Sequence, residues 1–171
     1  MGMRSRSSPP SPVVSRPVAV PVIRVQTTPF DVGAELARLT SGRHDVGGVG
    51  CFVGVVRDTP DGLLALTLEQ YPGMTEQALR SIAIDAVDRF DLLGCTVIHR
   101  HGRLGLGEPI VLVVAASAHR QPALDATAFL IDWLKTQAPF WKQEHAADGS
   151  SRWVEARAED DAAAARWRER H

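Results

Sequence analysis

The run Pro109-Ile-Val-Leu-Val-Val-Ala-Ala-Ser117 limits the possible folds more than any other stretch of this chain. It falls well short of the roughly 18 apolar residues that span a bilayer. A short run this apolar, bounded by Gly107 on one side and His119-Arg120 on the other, predicts a strand at the centre of a sheet. The 171 residues suffice for one domain with a real core built around it.

The flanking segments predict what surrounds that strand. Residues 22–26 read as a first strand. Asp31 is placed to cap a short helix, with Glu35 in its early turns, and Ser41-Gly42 ends it. Residues 46–57 form a strand carrying Gly47, Gly48, Gly50 and Gly54, which predicts bulges or close backbone approach. A phosphate-binding loop is the alternative, but no GxGxxG or GK[ST] pattern is present. Residues 63–71 follow as a strand, with Leu64, Leu66 and Leu68 on its buried face. Thr75 is the expected cap of an amphipathic helix over 75–90. A strand over 95–101 leads into a glycine-punctuated loop at 102–107. A helix over 122–136 starts with Pro122 in its first turn and stops before Pro139. A hairpin then pairs 140–145 with 152–157 across Asp148-Gly149.

This order lacks strict β-α-β alternation, so α+β is favoured over a doubly wound sheet. The Pro-, Ser- and Arg-rich residues 1–20 are expected to be a disordered extension. Residues 21–158 are expected to make a single α+β domain, and 159–171 a C-terminal tail of Ala- and Arg-rich, helix-compatible composition.

Net charge is −1, so there is no bulk electrostatic case for nucleic-acid or membrane binding, and an anion site has to be a local arginine cluster. Cys51 and Cys95 form no CxxC pair, and buried free thiols in a reducing cytoplasm are expected. His99 and His101 lack further metal ligands, so no metal is expected. Lysine and arginine together number 19, yet only Lys135 and Lys142 are lysines. Arginine holds its proton throughout turnover, whereas lysine can be tuned into a base, an acid or a nucleophile. Two lysines flanking Thr-Gln-Ala-Pro-Phe-Trp therefore suggest an ammonium with a chemical task; two solvated survivors of compositional drift are the alternative. Arg57 at a strand end, and Ser117-Ala-His119-Arg120 where a strand meets a helix start, are further anion-binding candidates. Phe140 and Trp141 offer aromatic faces for a planar ring, or core packing instead. Asp132 and Glu144 are suited to acid–base roles but are expected to pair with nearby cations.

Five segments in order carry a resemblance. They are Phe52-Val-Gly-Val-Val-Arg57, Leu68-Glu-Gln-Tyr-Pro-Gly-Met74, Ser117-Ala-His-Arg120, Lys135-Thr-Gln-Ala-Pro-Phe-Trp-Lys142 and Trp153-Val-Glu-Ala-Arg157. Together they resemble the MoaE family of molybdopterin synthase catalytic subunits over roughly 22–167. The resemblance implies an α/β-hammerhead-like domain with an added antiparallel hairpin. It implies a homodimer within a heterotetramer, joined by a small ubiquitin-like sulfur-carrier subunit. That partner presents a C-terminal thiocarboxylate on a Gly-Gly tail. The implied reaction converts cyclic pyranopterin monophosphate to molybdopterin and needs no cofactor from this chain. The family's pocket maps onto Arg57, His119, Arg120, Lys135 and Lys142, with Lys135 and Lys142 catalytic. Val55, Val56, Gln143, Glu144 and Arg157 are flanking candidates, and some of the set is implied to come from a second subunit. Gln70 departs from the histidine common in the family. A non-catalytic module binding a phosphorylated heterocycle, or another lysine-dependent lyase or transferase, would use the same residues.

Overall fold

A computed structural model describes residues 17–154 and 158–168. Among the described residues, eight strands and four helices follow in the order β1 (Val22–Gln26), α1 (Val32–Thr40), β2 (Gly48–Val55), β3 (Leu63–Gln70), α2 (Met74–Phe90), β4 (Gly94–Arg100), β5 (Gly102–Gly105), β6 (Pro109–Ser117), α3 (Arg120–Gln137), β7 (Phe140–Ala146), β8 (Ser151–Val154) and α4 (Ala158–Ala165). They build two four-stranded sheets, β1-β4-β6-β2 and β5-β3-β7-β8. The α+β expectation holds, and the added hairpin is β7–β8.

The apolar run is β6, and it lies inside the first sheet between β4 and β2. Its alternating residues feed two cores. Val113 and Ala115 join Leu79, Ala83, Phe129 and Leu130 of α2 and α3, with Trp167 beyond them. Leu112 and Val114 join Ile98 on the opposite face, under Val32, Leu36 and Leu39 of α1. Both faces of the strand are covered, which is why it reads as a continuous apolar run. Ala19 also packs against the first core, from within the segment assigned to the extension. A third cluster, Val56, Leu63, Leu66, Leu68 and Leu104, lines the second sheet and meets Ile110.

Local chemistry sets the helix ends. Asp31 caps α1 through Ala34 N–H at 2.9 Å. The expected Thr75 cap of α2 is displaced: Gly73 is the cap residue, with φ 79°, and Glu76 accepts from its N–H at 2.7 Å. Thr75 is fully buried inside the first turn and accepts instead from Tyr71 N–H at 3.1 Å. At the end of α3, Pro139 forces Ala138 to extended geometry (φ −73°, ψ 123°), so the chain turns directly into β7.

Three further expectations are corrected. Leu64 is exposed, because a register irregularity between Leu63 and Ala65 shifts the alternation and buries both of those residues. The 102–107 loop contains β5, which pairs with β3 from Ala65↔Gly105 to Leu68↔Gly102. Cys51 is exposed on the edge strand β2, and only Cys95 is a buried thiol, its pKa pushed up to about 12 by burial.

Candidate active site

The first sheet fixes where the basic residues lie. β2 and β6 pair antiparallel from Gly48↔Ser117 to Val55↔Pro109. His119 and Arg120 follow Ser117 at one end of the sheet, and Arg57 follows Val55 at the other. Eight strand steps separate these ends, about 27 Å. Helix α3 starts at Arg120 and lies along β2: Gly48 abuts the Arg120 backbone, and Gly50 abuts Ala123 and Thr127. It therefore runs towards the Arg57 end. Lys135 lies 15 residues along it, about 22 Å from Arg120.

Lys142 returns to that same end. It sits on β7 opposite Leu68, which packs in one cluster with Val56, the neighbour of Arg57. Phe140, two residues earlier, stacks on His99 of β4 with ring centroids 3.8 Å apart. His99 pairs with Val111, close to the Pro109 end of β6. Arg57, Lys135 and Lys142 thus gather at one end of the molecule, while His119 and Arg120 lie at the other.

The supports are rigid. Val56 is buried, its N–H donates to the Glu108 carbonyl at 2.9 Å, and its carbonyl accepts from Gly107 N–H at 2.8 Å. Arg57 therefore projects from a fixed backbone point into solvent, beside the exposed Val55. The Glu108 carboxylate accepts from Gly105 N–H at 2.6 Å and from the buried Arg100 at 3.2 Å, and these bonds hold its pKa below the usual carboxylate range. Glu144 shares the face of Lys142 and is paired across β7–β8 with Arg152 at 2.9 Å. Gln143 alternates to the opposite face of the sheet. Asp132 is likewise committed to a cation, Arg166, at 2.6 Å. Arg157 lies outside the described residues. His119 is the cap residue of α3 without a side-chain cap bond, so its imidazole remains available in solvent beside Arg120.

Trp141 and Phe140 divide the two roles open to them. Phe140 is half-buried against His99, whereas Trp141 is 55% exposed and donates from Nε1 to the Tyr71 hydroxyl at 2.9 Å. His99 was not legible as part of the site from sequence; its place on β4 beside a strand 40 residues later is a tertiary fact. Nδ1–H of His99 donates to the Arg100 carbonyl at 2.8 Å. Desolvation, with a lesser contribution from His101, lowers its pKa to about 4. A histidine held neutral in the fold must bind a proton on unfolding at mildly acidic pH, so the unfolded state gains. Stability is complete above the unfolded pKa of about 6.5 and falls progressively down to about pH 4. Chemical denaturation at pH 7 and pH 5 should therefore differ by about 2 kcal/mol from this group alone. His99→Phe, which keeps the aromatic stack, should flatten that difference whatever it does to the baseline.

Lys135 is at the last turn of α3, with its side chain 57% exposed and Nζ 3.5 Å from Asp160 Oδ1 of α4. Asp160 was not singled out from sequence, because nothing in the tail's composition tells which of its acids folds back. No helix among the described residues is long and apolar enough to cross a membrane.

The arrangement offers two cations and an arginine fork at one end of a rigid domain, and a second basic pair at the other. The profile of the MoaE protein family matches residues 25–137. The molybdopterin synthase catalytic subunit of Mesorhizobium japonicum is 57% identical over 152 residues, covering 88% of this chain and 96% of that protein. The solved structure of the MoaE protein from Burkholderia ambifaria superposes with a TM-score of 0.74 at 47% identity, covering 86% of this chain and 97% of that one. Molybdopterin synthase from Staphylococcus aureus superposes with a TM-score of 0.71 at 26% identity over 77% of this chain and 96% of that one. With sequence and fold agreeing over most of its length, the chain belongs to the MoaE family.

Proposed function

We propose that this chain is the catalytic subunit of a molybdopterin synthase, converting cyclic pyranopterin monophosphate to molybdopterin with sulfur from the thiocarboxylated Gly-Gly terminus of a small ubiquitin-like subunit. What supports the reading is the placement of Lys135, Lys142 and Arg57, which include the chain's only two lysines, towards one end of the domain, as the β3–β7 register and the direction of α3 imply. An anionic substrate and an anionic sulfur donor both need cationic partners. A lysine at that place can stabilise the charge that develops as sulfur attacks, and can exchange a proton. Arginine forks suit the phosphate, since paired N–H donors match its oxygens. The same reading places the protein in the cytoplasm.

Geometry adds a constraint on assembly. His119 and Arg120 stand about 22 Å from Lys135 along α3, too far for one compact ligand to touch both. If all five residues serve one substrate, the second basic pair must come from another copy. A two-fold dimer that brings the His119–Arg120 end of one protomer to the Lys135 end of its partner makes two composite sites. Val55, with Val56 behind it, would then form a wall of each site, and Glu144 would hold the Lys142 face through Arg152.

Reconstitution with the thiocarboxylated small subunit and the pterin precursor, assayed for dithiolene product, tests the activity. Intersubunit complementation tests the assembly. Lys135→Ala and Arg120→Ala dimers should each be nearly inactive. In a mixed dimer, one site carries both lesions and the other carries none. Co-expression should therefore restore roughly a quarter of wild-type turnover from random pairing. Absence of any recovery would place Lys135 and Arg120 in separate sites, or in one site of a single protomer.

A further inference from the structure

The C-terminal helix reaches the catalytic end of α3, and its attachment does not depend on the contact it makes there. Trp167 anchors it. The indole is 3% exposed and meets Phe90 and Phe129 edge-on, with centroids at 6.0 and 5.6 Å. Its Nε1–H donates to Asp132 at 2.7 Å, and Arg89 donates to the Trp167 carbonyl at 2.7 Å. Arg166 adds a bond to the same Asp132 oxygen at 2.6 Å. Asp132 and Lys135 are three apart on α3, so they share one side of the helix. The tail is thus fastened at Asp132, and the acid-rich first turn of α4 is delivered one helical turn further on. Of Glu159, Asp160 and Asp161 in that turn, Asp160 lies 3.5 Å from Lys135 Nζ.

This pair contributes little to stability. A half-exposed lysine–carboxylate pair is screened by solvent and worth little, and the Trp167 anchor already holds the helix. What it does change is the freedom of the ammonium. A lysine at a helix end has four rotatable side-chain bonds, and much of that freedom must be lost before Nζ can meet a reacting atom.

We propose that Asp160 is a positioning residue for Lys135: it tethers the ammonium at the substrate end of α3 before the anionic reactants arrive. This rests on the reading of Lys135 as catalytic. Tethering confines Nζ to one region, which lowers the ordering cost of the reactive arrangement. Because the pair is only partly buried, an incoming phosphate or thiocarboxylate can share or displace the carboxylate without a large desolvation cost.

The expected signature is a loss in kcat, not in precursor binding. Asp160→Asn should lower kcat about five- to tenfold with KM for the precursor changed less than about twofold. Asp160→Glu should recover most of the rate, since a carboxylate one methylene longer still reaches a flexible ammonium. Acetylation by acetic anhydride, read by mass spectrometry, gives a measure independent of turnover. With only two lysines in the chain, the Lys135 and Lys142 peptides are resolved cleanly. Lys135 should label several-fold faster in Asp160→Asn, with Lys142 unchanged. Thermal unfolding and tryptophan fluorescence should stay at wild-type values, because Trp167 remains seated. Wild-type kcat and wild-type labelling in Asp160→Asn, with Lys135→Ala inactive, would overturn the tether and leave the catalytic reading standing. Full activity in Lys135→Ala would instead remove the reading on which the tether rests. A parallel fall in kcat and melting temperature, unrescued by Asp160→Glu, would make Asp160 a structural residue and also overturn the proposal.

Discussion

Lys135→Ala is expected to lower product formation at least about 100-fold while leaving the domain folded. The two halves of that expectation have separate grounds. The fold should survive because the lysine side chain is more than half exposed and its ion pair with Asp160 is a surface-type contact of small worth. Alanine also favours the helical conformation at that position. Activity should collapse because a preorganised cation facing developing negative charge contributes more than any ground-state contact. Removing one such donor typically costs about two to three orders of magnitude. Lys135→Arg separates charge from proton exchange. Substantial activity in the arginine variant would mean that a fixed cation is enough; loss comparable to alanine would mean that the proton on Nζ moves. Dithiolene formation in single turnover with the thiocarboxylated partner is the measurement, with circular dichroism as the control for folding. Wild-type turnover by the alanine variant would remove Lys135 from the mechanism.

Much of this architecture was legible because its signals are local. The apolar run of β6, the proline after α3 and the Asp31 cap each act within a few residues, and each predicted its element. Two sorts of feature were not legible. One is position within an element. Leu64 looks like a core residue until the irregularity beside it turns it outward, and Cys51 looks buried until β2 proves to be an edge strand. The other is proximity between distant segments. The basic residues were read as a set from their chemistry and from a family resemblance, but sequence did not show that one protomer keeps them in two groups. That separation follows from the antiparallel β2–β6 ladder and the length of α3, both of which are tertiary facts. Nor did the tail reveal that Asp160 folds back on Lys135, since Glu159 and Asp161 beside it carry the same charge.

The glycine-rich stretch was open between a phosphate loop and close backbone approach, and the structure supports the second at Gly50. A Cβ there would stand 2.2 Å from Thr127 Oγ1 and 2.5 Å from the Ala123 carbonyl oxygen. Thr127 already donates to that carbonyl at 2.8 Å, so the two atoms form one packed unit on α3. The hydroxyl could rotate away, but the backbone oxygen cannot, and α3 as a whole would have to move off the sheet. Gly50→Ala would ordinarily gain about 0.5–1 kcal/mol from reduced chain entropy in a strand. Overpacking against an immovable atom costs about 1–3 kcal/mol, which outweighs that gain. Gly50→Val adds two more methyl groups in the same gap and should cost about 3 kcal/mol or more, lowering the melting temperature by roughly 10 °C for a chain of this size. Function should fall further than stability, because α3 carries Arg120 at one end and Lys135 at the other. A shift of its axis displaces basic groups at both ends of the helix at once, and misplacement by about 1 Å can cost about 100-fold in rate. Thr127→Ala in the Gly50→Val background should rescue little, since the Ala123 carbonyl remains. Calorimetry and the reconstitution assay on the single and double variants decide the point: a stable, active Gly50→Val protein would show that α3 does not rest on β2 at this position.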